Sequence, residues 1–297
     1  MHIRVSLPRQ TLELHDERGT LLRRYLVSTA KNGAGEQNGS FCTPRGRHIV
    51  RAKVGGGERT NAVFVRRRPT GETWTPQLAE QFPDRDWILT RILWLSGKEP
   101  GRNRLGEVDT MRRYIYLHGS PDTVPMGTPG SIGCVRMRNQ DIVELFDLIP
   151  VYTAVDIVEF GVEAGDWSEF REQARLVREA VFVDEQKVPR DMERDEQDAT
   201  SQHVIARNGD GGAIGTGRLL SDGQLGRMAV LADWRGKGVG RALLERLLEE
   251  AARLSLGHLA LHAQTQASGF YRRFGFVEEG PEFMEAGIPH RTMVRWS

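Results

Sequence analysis

The chain has 297 residues, a length that points to two domains of roughly 100–200 residues each. Its formal net charge is +1, with +5 over residues 1–160 and −4 over the rest, so no global field singles out nucleic acid or a membrane as partner. Two cysteines, Cys42 and Cys134, rule out a disulfide framework, and no apolar run approaches the ~18 residues needed to span a bilayer.

The opening Met1–Pro8 lacks the basic region, apolar stretch and small-residue cleavage site of a secretory leader, so it reads as a first strand and a cytoplasmic location is expected. Ile3, Val5 and Leu7 alternate, Pro8 to Gln10 turn the chain, and Leu12 and Leu14 alternate again. Asp16–Gly19 turns once more before an extended Leu21–Val27. Glycine and proline stay frequent to residue 60, against long helices. Helical turns are predicted at Leu78–Phe82 and around Trp87–Leu95. An apolar strand, Tyr114–Leu117, leads into His118. A short amphipathic helix fits Asn139–Leu148, and Val151–Phe160 closes a mainly β first half.

The pattern changes near Gly161. Trp167–Phe182 reads as a helix, with Phe170, Ala174, Val177 and Val181 at spacings of three and four. Residues 203–207 and 213–220 alternate like a hairpin across Asn208–Gly212. Leu225–Leu231 is a strand. Val239–Leu254 is the clearest amphipathic helix in the chain. A strand at Leu259–Ala263 and a short helix at Ser268–Phe274 follow. Strands alternating with helices predict a mixed sheet covered by helices. The domains are therefore placed at 1–159 and 160–297.

Cys134 and His118 form the first candidate site. A nucleophilic cysteine needs a base for its thiol proton, backbone N–H groups facing the oxyanion, and access. His118 at a strand end can supply the base. Gly133 lets the backbone approach a substrate carbonyl, so the N–H groups of Gly133 and Cys134 are candidate donors. Arg136 offers a fork of donors for a substrate carboxylate. A Cys and a His 16 residues apart do not by themselves separate this from a buried structural pair. The wider stretch is more specific: His118-Gly119-Ser120, then Ser131-Ile132-Gly133-Cys134-Val135-Arg136. It resembles the signature of the YkuD L,D-transpeptidase family. The resemblance covers about residues 1–159, including Gln10, Val27-Ser28-Thr29, Lys31-Asn32-Gly33 and Thr43-Pro44-Arg45-Gly46.

That resemblance implies a mainly β sandwich or barrel and L,D-peptide chemistry on peptidoglycan stem peptides or muropeptides. Cys134 would attack the carbonyl of the third residue of a tetrapeptide, D-alanine would leave, and an acyl-thioester would remain. His118 would act as base and then acid, oriented through a backbone carbonyl of Gly119 or Ser120. Ser131, Gly133 and Arg136 would contact substrate. The sequence departs from the family in having Ile132 where a histidine usually stands. A cytoplasmic enzyme would meet soluble stems, so trimming of tetrapeptide to tripeptide is expected. An exported cross-linking enzyme and a weakly active peptide-binding module are the alternatives.

The second candidate site is Arg235-Gly236-Lys237-Gly238-Val239-Gly240, between a strand and the best helix. Backbone N–H groups at a helix start, cleared of side chains by glycine, form an anion site. The spacing fits neither a dinucleotide fingerprint nor a P-loop. It resembles the acetyl-CoA motif of the GNAT N-acetyltransferases, matched by Arg235, Gly238 and Gly240. That resemblance implies an α/β mixed sheet with helices on both faces and acetyl-CoA as co-substrate. Met228 and Val230 would pair with the pantetheine arm through their backbone, and Tyr271 in Tyr271-Arg-Arg-Phe274-Gly275-Phe276 would protonate the departing thiolate. Glu185, Gln186 and His290 would line the pocket of an amine acceptor, with Glu185 and His290 the candidate bases. The acidic run Glu193–Asp198 is either a lure for that amine or a solvated loop. Arg66-Arg67-Arg68 reads as a solvated strand edge and Cys42 as a small apolar filler; no metal, nucleic-acid or membrane partner is expected.

Overall fold

A computed structural model describes residues 1–193 and 196–296. Its contacts divide the chain into Met1–Leu14 with Leu22–Glu159, and His15–Leu21 with Phe160–Ser297. Among the described residues no helix is long and apolar enough to cross a membrane.

The first unit contains β1 (His2–Ser6), β2 (Thr11–His15), β3 (Leu21–Leu26), β4 (Gly46–Val54), β5 (Ala62–Val65) and β6 (Arg68–Thr73), then α1 (Pro76–Gln81) and β7 (Ile88–Gly97). β8 (Tyr116–Gly119), β9 (Val135–Met137), α2 (Asn139–Leu148) and β10 (Ala154–Val158) complete it. The strands form one connected sheet in the order β3-β2-β1-β10-β4-β7-β5-β6, from which β8 branches off β7 and carries β9. The segment 87–95, predicted to contain helical turns, is instead the ten-residue strand β7. Its β-branched Ile88, Thr90 and Ile92 suit a pleat, and it is paired by β4, β5 and β8.

Alternation along β7, β8 and β9 gives the sheet two faces with different tasks. Leu93, Leu95, Leu117, Val135 and Met137 are buried in one cluster with Ile142, Leu145 and Phe146 of α2. Each large apolar side chain so buried stabilises the unit by roughly 1.5–3 kcal/mol relative to exposure. The intervening residues, Ile92, Trp94, Tyr116, His118, Cys134 and Arg136, fall on the other face, because Ile92 is in register with His118, Trp94 with Tyr116, and His118 with Arg136. The core thus fixes the register that aligns the candidate catalytic side chains.

The second unit contains β11 (Phe160–Asp166), α3 (Trp167–Arg178), α4 (Arg190–Glu193), β12 (Gln202–Asn208), β13 (Ala213–Leu219) and β14 (Gln224–Val230). It continues through α5 (Val239–Arg253), β15 (His258–Gln264), α6 (Ser268–Arg272), β16 (Val277–Glu285) and β17 (Ile288–Trp296). The sheet order is β11-β12-β13-β14-β15-β17-β16. It is α/β and mixed: β14 and β15 are parallel and the other pairs antiparallel. The predicted helix 167–182 ends at Arg178, and Glu179–Glu185 continues as a π-helix. The long hairpin β16–β17 carried no clear sequence signal, because most of its residues are exposed or half-buried and only Met293 and Val294 are fully inside.

Candidate active sites

His118 is completely buried. Its Nδ1 lies 2.8 Å from the Gly119 carbonyl, which can only accept, so Nδ1 carries the proton. Nε2 is therefore the basic nitrogen, and it is buried with no hydrogen-bond partner. Burial is the main influence on the imidazole and lowers its pKa; Asp86 and the Gly119 bond act the other way. Gly119 is required here by packing, since a Cβ would come within 2.4 Å of Asn139 Oδ1 and 2.7 Å of the Leu89 carbonyl. Ser120 plays a different part: its hydroxyl donates to the Met137 carbonyl and its own carbonyl accepts from Asn139 Nδ2.

Cys134 sits just before β9, 9% exposed. Its thiol is 3.4 Å from the Tyr114 carbonyl, and the Tyr116 N–H points at the sulfur from 3.4 Å. Burial pushes the thiol pKa up to about 12, so the resting group is neutral. Gly133 holds φ +135°, a conformation that favours glycine. The Ser131 hydroxyl donates to the Cys134 carbonyl at 2.5 Å and accepts the Gly133 N–H at 3.2 Å. This corrects the expectation for Gly133: its N–H is already engaged, which leaves the Cys134 N–H as the donor available in that turn. Thr43 braces the same turn, donating to the Gly133 carbonyl at 2.9 Å.

Arg136 is on the same face but is held by Asp86 at 2.5 Å and by the Gly130 carbonyl at 3.0 Å, so a substrate carboxylate must compete with Asp86 for it. Asp86 and Arg113 escaped the sequence reading, since neither belongs to a motif. Arg113 donates to the carbonyls of Gly35, Glu36 and Cys42 and ties that loop together. Cys42 is half-buried, with its sulfur 3.4 Å from the carbonyls of Asn32 and Ser40, a polar setting rather than the apolar one expected. Ile132 is 46% exposed and fills no core position.

In the second unit β14 and β15 pair only at Gln224–Ala260 and Leu225–Leu261. Beyond these residues the parallel ladder lapses, and Arg227 takes φ +51°. A cavity of about 280 Å³ there is lined by Phe182, Gln186, Met228, His262, Tyr271 and His290, among others. The Tyr271 hydroxyl lies 3.7 Å from Met228 Sδ, and burial pushes its pKa up to about 12, so it is protonated at neutral pH. His290 donates from Nδ1 to the Ile288 carbonyl at 2.9 Å, facing a carbonyl as His118 does.

A second cavity of about 590 Å³ includes Val230, Arg235, Gly236, Gly238 and Gly240 at the start of α5. Gly238 caps that helix at φ +88°, and Val239 behind it is buried. Glycine-cleared N–H groups at the head of a fifteen-residue helix fit a pyrophosphate. Lys237 is turned away, its Nζ 5.0 Å from the centre of the Trp234 ring.

Three expectations are corrected here. Glu185, expected as a base lining the acceptor pocket, makes two bonds to Arg235, and this pairing lowers its pKa. Val230, whose backbone is expected to pair with a pantetheine arm, has its carbonyl bonded by Arg235 Nε at 3.0 Å. The acidic run is neither lure nor solvated loop at its ends. Glu193 and Asp198 are buried and hold Arg178, and Asp198 also accepts from Arg218 at 2.8 Å. Residues 194 and 195 of that run lie outside the described residues.

Two family models match the chain: the YkuD L,D-transpeptidase catalytic domain over residues 1–157 and the GNAT acetyltransferase domain over 164–295. The chain belongs to both families, joined in tandem. Among relatives of the GNAT domain, YjcF of Bacillus subtilis, described as an uncharacterized N-acetyltransferase, is 40% identical over 126 residues, covering 41% of this chain and 89% of its own. ElaA of Escherichia coli is 32% identical over 126 residues, covering 40% and 82%. A solved acyl-CoA N-acyltransferase from Pseudomonas aeruginosa is 32% identical and aligns with 46% of this chain and 99% of its own, with a TM-score of 0.43. The GNAT domain implies acetyl-CoA or another acyl-CoA as co-substrate.

Proposed function

We propose that the protein is a bifunctional cytoplasmic enzyme: a cysteine L,D-carboxypeptidase acting on peptidoglycan stem tetrapeptides, and an acetyl-CoA-dependent N-acetyltransferase acting on an amine. The observation that carries the first activity is the unpartnered, basic Nε2 of His118 on the same sheet face as the Cys134 thiol. In this reading substrate binding brings thiol and imidazole together, and His118 Nε2 takes the thiol proton. The Cys134 sulfur then attacks the carbonyl of the third stem residue, and the Cys134 N–H faces the oxyanion. His118 returns the proton to the leaving D-alanine amine. Water, abundant and needing no second peptide, attacks the acyl-thioester with His118 again as base, and the products are tripeptide and free thiol.

For acetyl transfer, the start of α5 takes the pyrophosphate of the co-substrate and the gap between β14 and β15 takes its arm. The acceptor amine enters the cavity that His290 lines, and His290 serves as its base. After attack on the thioester, Tyr271 gives its hydroxyl proton to the departing thiolate.

Mass spectrometry of an L-Ala-D-Glu-mesoDAP-D-Ala stem, incubated with the protein with and without acetyl-CoA, tests both halves. Loss of D-alanine by the wild type and not by Cys134→Ala is the expected result, and a mass gain of one acetyl group would make the stem itself the acceptor. Cross-linked dimers in place of tripeptide would overturn the carboxypeptidase reading. Exposed Ile132 at the family's histidine position favours a peptide-binding module as the second reading, which retention of D-alanine alongside stem binding would support.

A further inference from the structure

The face of the first sheet that bears Cys134 continues past Tyr116 into a cavity of about 620 Å³, walled by Trp94, Tyr114 and Arg67. The Arg67 guanidinium lies 4.4 Å from the centre of the Trp94 ring and 4.8 Å from that of Tyr114, and it donates to the Tyr116 hydroxyl at 3.1 Å. Of the run Arg66-Arg67-Arg68, expected as a solvated strand edge, Arg66 and Arg68 are exposed, while Arg67 is half-buried against the two rings. Two consecutive left-handed residues, Arg66 at φ +48° and Arg67 at φ +65°, form the β5–β6 turn. Non-glycine residues adopt that conformation at a cost of roughly 1 kcal/mol or more each, so the turn is strained in the position that lays Arg67 on the two rings.

Four more cations stand on the wall: Arg51, Lys98, Arg104 and Arg112. Among the described residues none of these four, nor Arg67, forms an ion pair. Asp109 is the single carboxylate lining the cavity. It is occupied by the N–H groups of Leu105 at 2.7 Å and Arg112 at 3.0 Å. A cavity walled by five cations and one carboxylate suits an anion, and a guanidinium stacked on π faces still presents N–H groups at its edge.

Tyr116 joins this cavity to the thiol. Its N–H points at Cys134 Sγ while its hydroxyl accepts from Arg67, and Tyr114 gives its ring to the cavity and its carbonyl to the thiol. We propose that this cavity binds a carboxylate of the acyl-donor peptide next to the attacked residue, with Arg67 as its principal contact. The inference rests on Cys134 being the nucleophile. In the stem peptide the nearest such group upstream is the free α-carboxylate of the D-glutamyl residue, which immediately precedes the attacked diamino acid. Converting it to a carboxamide removes the charge and keeps the shape.

The test compares D-alanine release from two synthetic tetrapeptides that differ only in carboxylate or carboxamide at that position. The wild type is expected to prefer the carboxylate about tenfold in kcat/KM, Arg67→Met to bring the ratio below about two, and Arg67→Lys to restore part of it, since charge without the fork binds less well. The same pair is measured by calorimetric binding to Cys134→Ala and to Cys134→Ala/Arg67→Met. An equal rate and affinity for both peptides in the wild-type background would overturn the proposal. So would an Arg67→Met variant that lowers both equally. No D-alanine release, with a binding preference that disappears in the double variant, would sink the nucleophile reading and leave the carboxylate site standing.

Discussion

Glu185 grips Arg235 through two parallel bonds of 2.7 and 2.6 Å, and the same guanidinium caps the Val230 carbonyl. The arginine that opens the glycine-rich turn is thus engaged before any co-substrate binds. Both partners are well exposed, so the pair is worth no more than about 1 kcal/mol. A pyrophosphate can displace the carboxylate at that cost. Glu185→Gln should lower the KM for acetyl-CoA about two- to fivefold and leave kcat within about threefold. A kcat loss of a hundredfold in steady-state kinetics would instead restore Glu185 as the general base.

Burial pushes the pKa of the Cys134 thiol up to about 12, well above the ordinary thiol range. The protonated form is therefore favoured in the folded protein, and the reactive thiolate gains about tenfold per pH unit until the pH nears that value. Without substrate, iodoacetamide at pH 7.5 should label the more accessible Cys42 first. Cys134 alkylation should rise steeply from pH 8 to 10, as read by peptide mass mapping. Rapid, pH-independent labelling of Cys134 in that range would mean that a thiolate–imidazolium pair exists at rest.

Tyr271 is protonated through the whole neutral range and faces the gap where β14 and β15 part. Tyr271→Phe keeps the ring and removes the proton. It should lower kcat for acetyl transfer about 10²-fold with little change in the KM for acetyl-CoA. A KM effect alone would place the hydroxyl in binding rather than in proton transfer.

Asp198 is the hinge of a buried charge network, accepting from Arg178 at 2.9 and 3.0 Å and from Arg218 at 2.8 Å. Asp198→Asn keeps the shape but removes the negative charge that Arg178 and Arg218 share in the buried network. Breaking a buried pair from one side costs about 3–5 kcal/mol. Urea denaturation should show a stability loss of about that size in the second unit, and a change below about 1 kcal/mol would mean that water reaches the network.

Cys134, His118, the glycine turn before α5 and Tyr271 stand out as candidates from the sequence, because local spacing and residue chemistry survive without knowledge of the fold. Amphipathic helices were legible for the same reason: α2 and α5 are read from their own periodicity and lie within a residue of their predicted limits. The strand β7 was misread because its short apolar run fits helix and strand alike until its partners are known.

Which side chains meet is set by the packed fold. Nothing in the chain order brings Asp86 to Arg136, Arg67 to Trp94 and Tyr114, or Glu185 to Arg235, since these pairs are set by strand register and by turns far apart in sequence. Burial is likewise a property of the assembled sheet. Desolvation keeps the Cys134 thiol neutral, lowers the His118 pKa and leaves that imidazole with a single unpartnered nitrogen. Residue chemistry and local spacing name the groups able to react; packing assigns their protonation, their partners and the face they share.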